Sequence, residues 1–270
     1  MRSGSAAALA LMCCLIVAPA GGAEIIRSVP HRDASQRYAV LAPERPARAV
    51  MLLYVGGEGT LRLESGAISS VNVLFRIRDQ LLAAGVRLIY VDRPDGRHAR
   101  ADAEYAKAAA LIVARENAER LPVFVVGMSR GSISAVNVAA RVPVSGVVLL
   151  SGAVSGTHDG TMRDAPHAAV AVPSLLLLHR RDACVASNSE RGLRSFAAEM
   201  PKSRSTIIVM DGGTDEAPGR GRPAECHPRS HHGFNGIEAD VAAEMVKWLD
   251  LHLPTDGGVR AQPMHAPAQP

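Results

Sequence analysis

VFVVGMSRGS, residues 123–132, is the stretch from which the rest of the chain can be read. A run of β-formers leads to Gly127. Ser129 stands between Gly127 and Gly131, and small and apolar residues at helical spacing follow. Gly-x-Ser-x-Gly between a strand and a helix implies a turn sharp enough to strain the serine backbone and lift its Oγ above the sheet. Side chains two residues to either side would strike neighbouring strands or the helix, so both positions require glycine. The Arg130 N–H falls at the start of the helix, where the positive end of the dipole can meet an oxyanion.

Outward from this turn, apolar runs alternate with helical patterns. The runs at 49–55, 87–91, 123–128, 146–152, 174–179 and 206–210 predict strands, with an early edge strand over 36–42. Helices are expected over 67–84 (Ile68, Val71, Phe75 and Leu82 inward, Gly85 as stop), 101–119, after the elbow, 189–199 and 236–252. In the last, Ile237, Val241, Met245, Trp248 and Leu249 form one face. Solid apolar strands between helices mean a mostly parallel sheet covered on both faces, an α/β class with a small or absent lid. Functional groups in such sheets gather at the carboxyl ends of the strands.

A serine nucleophile needs a base, and the base an orienting acid, in the chain order Ser, Asp or Glu, His. Asp182 stands just past the 174–179 run, with Asp159 and Asp164 as competitors in the preceding loop. His227, His231 and His232 share the loop after the last strand. His232 is favoured because Gly233 and Asn235 lead straight into the closing helix, and His231 is the alternative. His179, at a strand end, reads as structural. Gly56-Gly57, after the first central strand, offers a second oxyanion N–H at Gly57 beside that of Arg130. Arg93, Arg97, His98 and Arg100 read as a solvated basic loop, with attraction of an anionic substrate as the rival reading.

The first 23 residues have the form of a secretory signal: Arg2, an apolar run from Ala6 to Val17 too short to span a bilayer, and small residues at Gly21-Gly22-Ala23. They would precede a single domain over 24–253 and a Pro/Gly/Ala-rich, disordered tail over 254–270. Their removal takes the formal charge from +4 to +3. That mild balance, with scattered basic residues and 3% aromatics, argues against a nucleic-acid partner. No nucleotide-binding glycine motif is present, and no cofactor is expected. Of four cysteines, Cys184 and Cys226 would survive cleavage. In an exported, periplasmic or secreted protein they are expected to form a disulfide. Zinc bound by these cysteines and the nearby histidines is the rival reading, but the spacing matches no usual closed site, so no metal is expected.

The stretches GGEG, NVLFRIRDQLLAAG, VGMSRGSISAVNVAAR, HRRDAC and HHGFNGIE together resemble a group of exported bacterial serine hydrolases of the α/β-hydrolase superfamily. In that group a run like HGFNGIE supplies the catalytic histidine, which implies His232 as base. An aspartate two residues before a cysteine implies Asp182 as acid. Arg181 and Ala183 stand where more acidic or glycine residues are expected. The resemblance implies hydrolysis and no substrate; a small-molecule ester or amide is the expected one. Ester cleavage is the first expectation, since an alkoxide leaves more easily than an amine. An amidase or peptidase, or a non-catalytic binding protein on the same fold, are the alternatives. No protein partner and no stable membrane anchor after cleavage are expected.

Overall fold

The computed structural model describes residues 24–63, 71–93, 99–156, 158–187, 189–219 and 224–254. The signal segment and the tail beyond Pro254 lie outside these residues, as do Ile68, Arg97 and His98. Among the described residues the strands form one eight-stranded sheet: β1 (Ile25–His31), β2 (Ala34–Leu41), β3 (Ala49–Tyr54), β4 (Val86–Val91), β5 (Val123–Met128), β6 (Gly146–Leu150), β7 (Ser174–His179) and β8 (Ser205–Met210). Their spatial order is β1-β2-β4-β3-β5-β6-β7-β8. The β1–β2 and β2–β4 pairs are antiparallel, and all others are parallel.

The two-residue period of the strands divides the core. Val50, Leu52 and Tyr54 of β3 join Val123 and Val125 of β5 on one face. Met51 and Leu53 join Phe124, Val126 and Met128 on the other. All six residues of β3 are buried, and so are all six of β5. Burying each large apolar side chain contributes roughly 1.5–3 kcal/mol, and both faces need cover. Helices α3 (Ala103–Glu116), α4 (Gly131–Ala139) and α5 (Glu190–Ala198) cover the first face. Helices α1 (Val73–Arg76), α2 (Arg78–Ala83) and α6 (Glu238–His252) cover the second. Trp248 of α6 meets Phe124 edge-on at 5.8 Å between ring centroids, a favoured aromatic geometry.

Three expectations change. The early strand is β2, but it is not the edge. β1 pairs outside it, joined through Arg32 in left-handed conformation (φ 51°). The single helix expected over 67–84 is two short helices meeting at Ile77, which departs from α-helical geometry at φ −98°, ψ 4°. Phe75 and Leu82 are buried as expected, whereas Val71 precedes α1 and is exposed.

Candidate active site

Strand β5 delivers the chain to a turn in which Ser129 takes φ 53°. A left-handed non-glycine residue costs on the order of 1–3 kcal/mol and persists only where its surroundings over-determine it. Here they do. The Ser129 N–H donates to the Leu150 carbonyl at 2.8 Å. Its own carbonyl accepts from the Ser132 N–H at 3.0 Å and from Ser132 Oγ at 2.6 Å. The flanking glycines are sterically forced: a Cβ on Gly127 would stand 2.6 Å from the Ser132 Cα, and one on Gly131 would overlap the Tyr54 carbonyl oxygen.

The structure brings Ser129, Asp182 and His232 together. Ser129 Oγ lies 2.9 Å from His232 Nε2, and His232 Nδ1 lies 3.0 and 3.2 Å from the two Asp182 oxygens. All three side chains are largely withdrawn from water. Asp182 follows β7 in a tight turn in which its N–H donates to the His179 carbonyl. Burial by itself pushes the Asp182 carboxyl up. The hydrogen bond and charge of His232, with donors at Ser187 Oγ and the Cys184 N–H, outweigh burial and hold it below the ordinary carboxylate range. An ionised Asp182 facing Nδ1 selects the tautomer that presents a bare Nε2 to Ser129.

Ser187 and Ser151 are constituents of the site that the sequence reading missed. Ser187 Oγ donates to Asp182 Oδ2 at 2.7 Å and lies 2.9 Å from His232 Nδ1. Ser151 Oγ donates to the His232 carbonyl at 2.8 Å, fixing the backbone behind the imidazole. The histidine loop is anchored again from α1: Arg76 Nη2 donates to the Gly233 carbonyl at 2.6 Å and Arg76 Nε pairs with Glu238 at 2.8 Å. The only advance signal for Ser187 was a hydroxyl in the short loop after the acid; for Ser151, a serine at a strand's carboxyl end.

His231 turns away from Ser129, its ring 4.6 Å from that of His179. His179 ends β7, where its Nε2 lies 2.9 Å from the Gly212 carbonyl and its Nδ1 accepts from the Arg181 N–H. Asp164 caps its own turn by accepting from the Thr161 N–H. Cys184 and Cys226 are bonded to each other, Cα atoms 4.6 Å apart, which leaves no free thiolate for the zinc reading. The bond joins the acid loop to the histidine loop.

The glycine turn after β3 closes over the serine: a Cβ on Gly56 would stand 2.9 Å from the Ser129 Cβ. Gly57 follows at φ 62°, a conformation that favours glycine. Among the described residues neither the Gly57 nor the Arg130 N–H has a backbone acceptor. The expected solvated basic loop is overturned for Arg93 and Arg100. Both are buried, 6% and 2% exposed, because each finds a counter-charge in Asp159. The sequence hid this pairing, since the partners lie 66 and 59 residues apart.

No protein-family model matches the chain, and no curated protein sequence matches it. Solved structures do. A dienelactone hydrolase from Anabaena variabilis superposes with TM-score 0.60 at 16% identity, covering 87% of this chain and 100% of that one. A thermostable carboxyl esterase from Bacillus coagulans gives 0.61 at 11% identity, covering 86% and 99%. An α/β serine hydrolase without a lid from Xanthomonas campestris gives 0.57 at 14%, covering 86% and 96%. At these identities the likeness is one of fold: the chain has the α/β-hydrolase fold.

Proposed function

We propose that the protein is an exported serine hydrolase that cleaves a small carboxylic ester through Ser129, His232 and Asp182. The observation that carries this reading is the unbroken contact chain from Ser129 Oγ through the imidazole to the Asp182 carboxylate. In the first step His232 Nε2 takes the Ser129 proton as Oγ attacks the ester carbonyl carbon. The carbonyl oxygen becomes an oxyanion, met by the Gly57 and Arg130 N–H groups. The tetrahedral intermediate collapses as His232 returns the proton to the departing alkoxide, leaving an acyl group on Ser129. Water, deprotonated by the same imidazole, then releases the acid and restores the serine. Asp182 stays ionised and orients the ring. The esterase and hydrolase names of the structural neighbours agree with this chemistry. An alkoxide demands less leaving-group protonation than an amine, which favours esters over amides. Export is supported by the composition of residues 1–23 and suits the Cys184–Cys226 bond.

Turnover of aryl esters by the purified protein tests the reading. Ser129→Ala should fold normally and lose on the order of 10⁶-fold in kcat. A pure variant that keeps a tenth of the activity would rule Ser129 out as nucleophile.

A further inference from the structure

The turn carrying Gly57 is held largely from outside itself. Its internal bond, from the Gly59 N–H to the Gly56 carbonyl, is long at 3.2 Å. Glu58 in the turn pairs with Arg130 Nη2 at 2.9 Å, and the further backbone anchors come from one buried polar cluster. Asp92 Oδ1 accepts from the Leu61 N–H at 2.7 Å. The Arg93 N–H donates to the Gly59 carbonyl at 3.1 Å, and Arg100 Nη2 donates to the Gly57 carbonyl at 2.8 Å. Arg100 lies flat against the turn: a Cβ on Gly59 would stand 2.7 Å from its Nη2.

A buried guanidinium needs a counter-charge. Asp159, on the chain between β6 and β7, supplies it to three arginines. It accepts from Arg100 Nε at 3.1 Å, from Arg93 Nη1 at 3.0 Å and from Arg130 Nη1 at 3.2 Å. Burial and the neighbouring Arg93 pull the Arg100 guanidinium down to about 10, so it remains charged at neutral pH. Arg100 thus uses its Nε for Asp159 and its Nη2 for Gly57. The triad chemistry leaves this arrangement unexplained.

We propose that Arg100, held by Asp159, is a positioning residue for the oxyanion donor: by fixing the Gly57–Glu58 peptide it limits rotation at Gly57, so that the N–H of the adjoining Gly56–Gly57 peptide stays aimed at the oxygen developing above Ser129. This rests on the hydrolase reading. A glycine at φ 62° has backbone freedom on either side, and an oxyanion donor is effective only when preorganised. A planar guanidinium bonded to the Gly57 carbonyl pins the peptide after Gly57, while the peptide before it is tied by the Gly59 N–H donating to the Gly56 carbonyl. Lysine cannot substitute, because an ammonium offers a point charge without the fixed fork.

Two variants of the full chain test this: Arg100→Lys, and Arg100→Gln, which leaves Asp159 paired with Arg93 and Arg130 if the first does not fold. Each is assayed well below its melting temperature for aryl-ester turnover and for inhibition by an aryl boronic acid. The boronic acid forms a tetrahedral adduct on Ser129 with an oxygen in the oxyanion position. Loss of positioning should lower kcat about 100-fold. KM should change less than about threefold, and the boronate inhibition constant should rise in step with the loss of kcat. Folded variants with near-native kcat and boronate affinity would overturn the proposal, and so would a kcat loss without weaker boronate binding. A wild-type protein that neither turns over esters nor binds boronate would instead overturn the hydrolase reading itself.

Discussion

Ser187 sets its hydroxyl between the Asp182 carboxylate and His232 Nδ1, and it is almost fully buried. A hydrogen bond to a charged group is worth about 1.5–3 kcal/mol. Ser187→Ala should therefore let the Asp182 carboxyl rise and loosen the imidazole. The expected result is a roughly tenfold lower kcat at little cost in KM; an unchanged kcat would show that Asp182 and the backbone suffice. Ser129, Asp182 and His232 were legible in the sequence because each marks its place. The serine is flanked by obligatory glycines, the acid follows a solid apolar strand, and the histidine precedes a helix. Ser187 and Ser151 carry no such mark, since a serine past a strand end looks alike whether it points into water or toward Asp182 and His232. The Arg93–Asp159 and Arg100–Asp159 pairs were illegible for a related reason: opposite charges far apart in sequence meet only when β4 and β6 take their places in the sheet.

At the scale of elements, the parallel strands were the readable part. β3, β5, β6 and β7 are buried on both sides and so appear as apolar runs, while β8, at the sheet edge, is only partly covered. β1 was missed because it is an edge strand with mixed burial, contains Pro30 and turns through Arg32-Asp33 without a glycine. The split at Ile77 was missed because α1 and α2 together keep a helical apolar spacing across the break. Two loops, the acid loop after β7 and the histidine loop before α6, are joined by Cys184–Cys226 across a separation of 42 residues. In the chain-entropy account that closure is worth about 4 kcal/mol. The double Cys→Ser variant should melt lower and also lose kcat, because His232 lies on the loop the bond restrains. Full kcat below the variant's melting point would reduce the disulfide to a staple.

For the whole molecule, the buried carboxylates set a limit on the acid side. Asp182 and Asp159 each feel burial pushing them up, yet their cationic and hydrogen-bonding partners hold both below the ordinary carboxylate value. A carboxyl depressed in the folded state contributes stability that is complete above its unfolded value, near pH ~4, and disappears as pH falls through the folded one. The denaturant midpoint should thus begin to decline at pH ~6.5, where His179, pulled down by burial, starts to oppose folding, and fall steeply below about pH 4. Arg100→Gln/Asp159→Asn should fall less steeply over that range, having lost one of the two groups; an identical acid slope would mean that Asp159 does not report on folding.

The central claim is that Ser129 is a nucleophile activated by His232. A fluorophosphonate probe tests it most directly: the protein is labelled, digested and mapped by mass spectrometry. The account predicts a single adduct on Ser129, lost on heat denaturation and in His232→Ala but kept in His231→Ala. A native protein that takes no label, or carries it on another residue, would contradict the account.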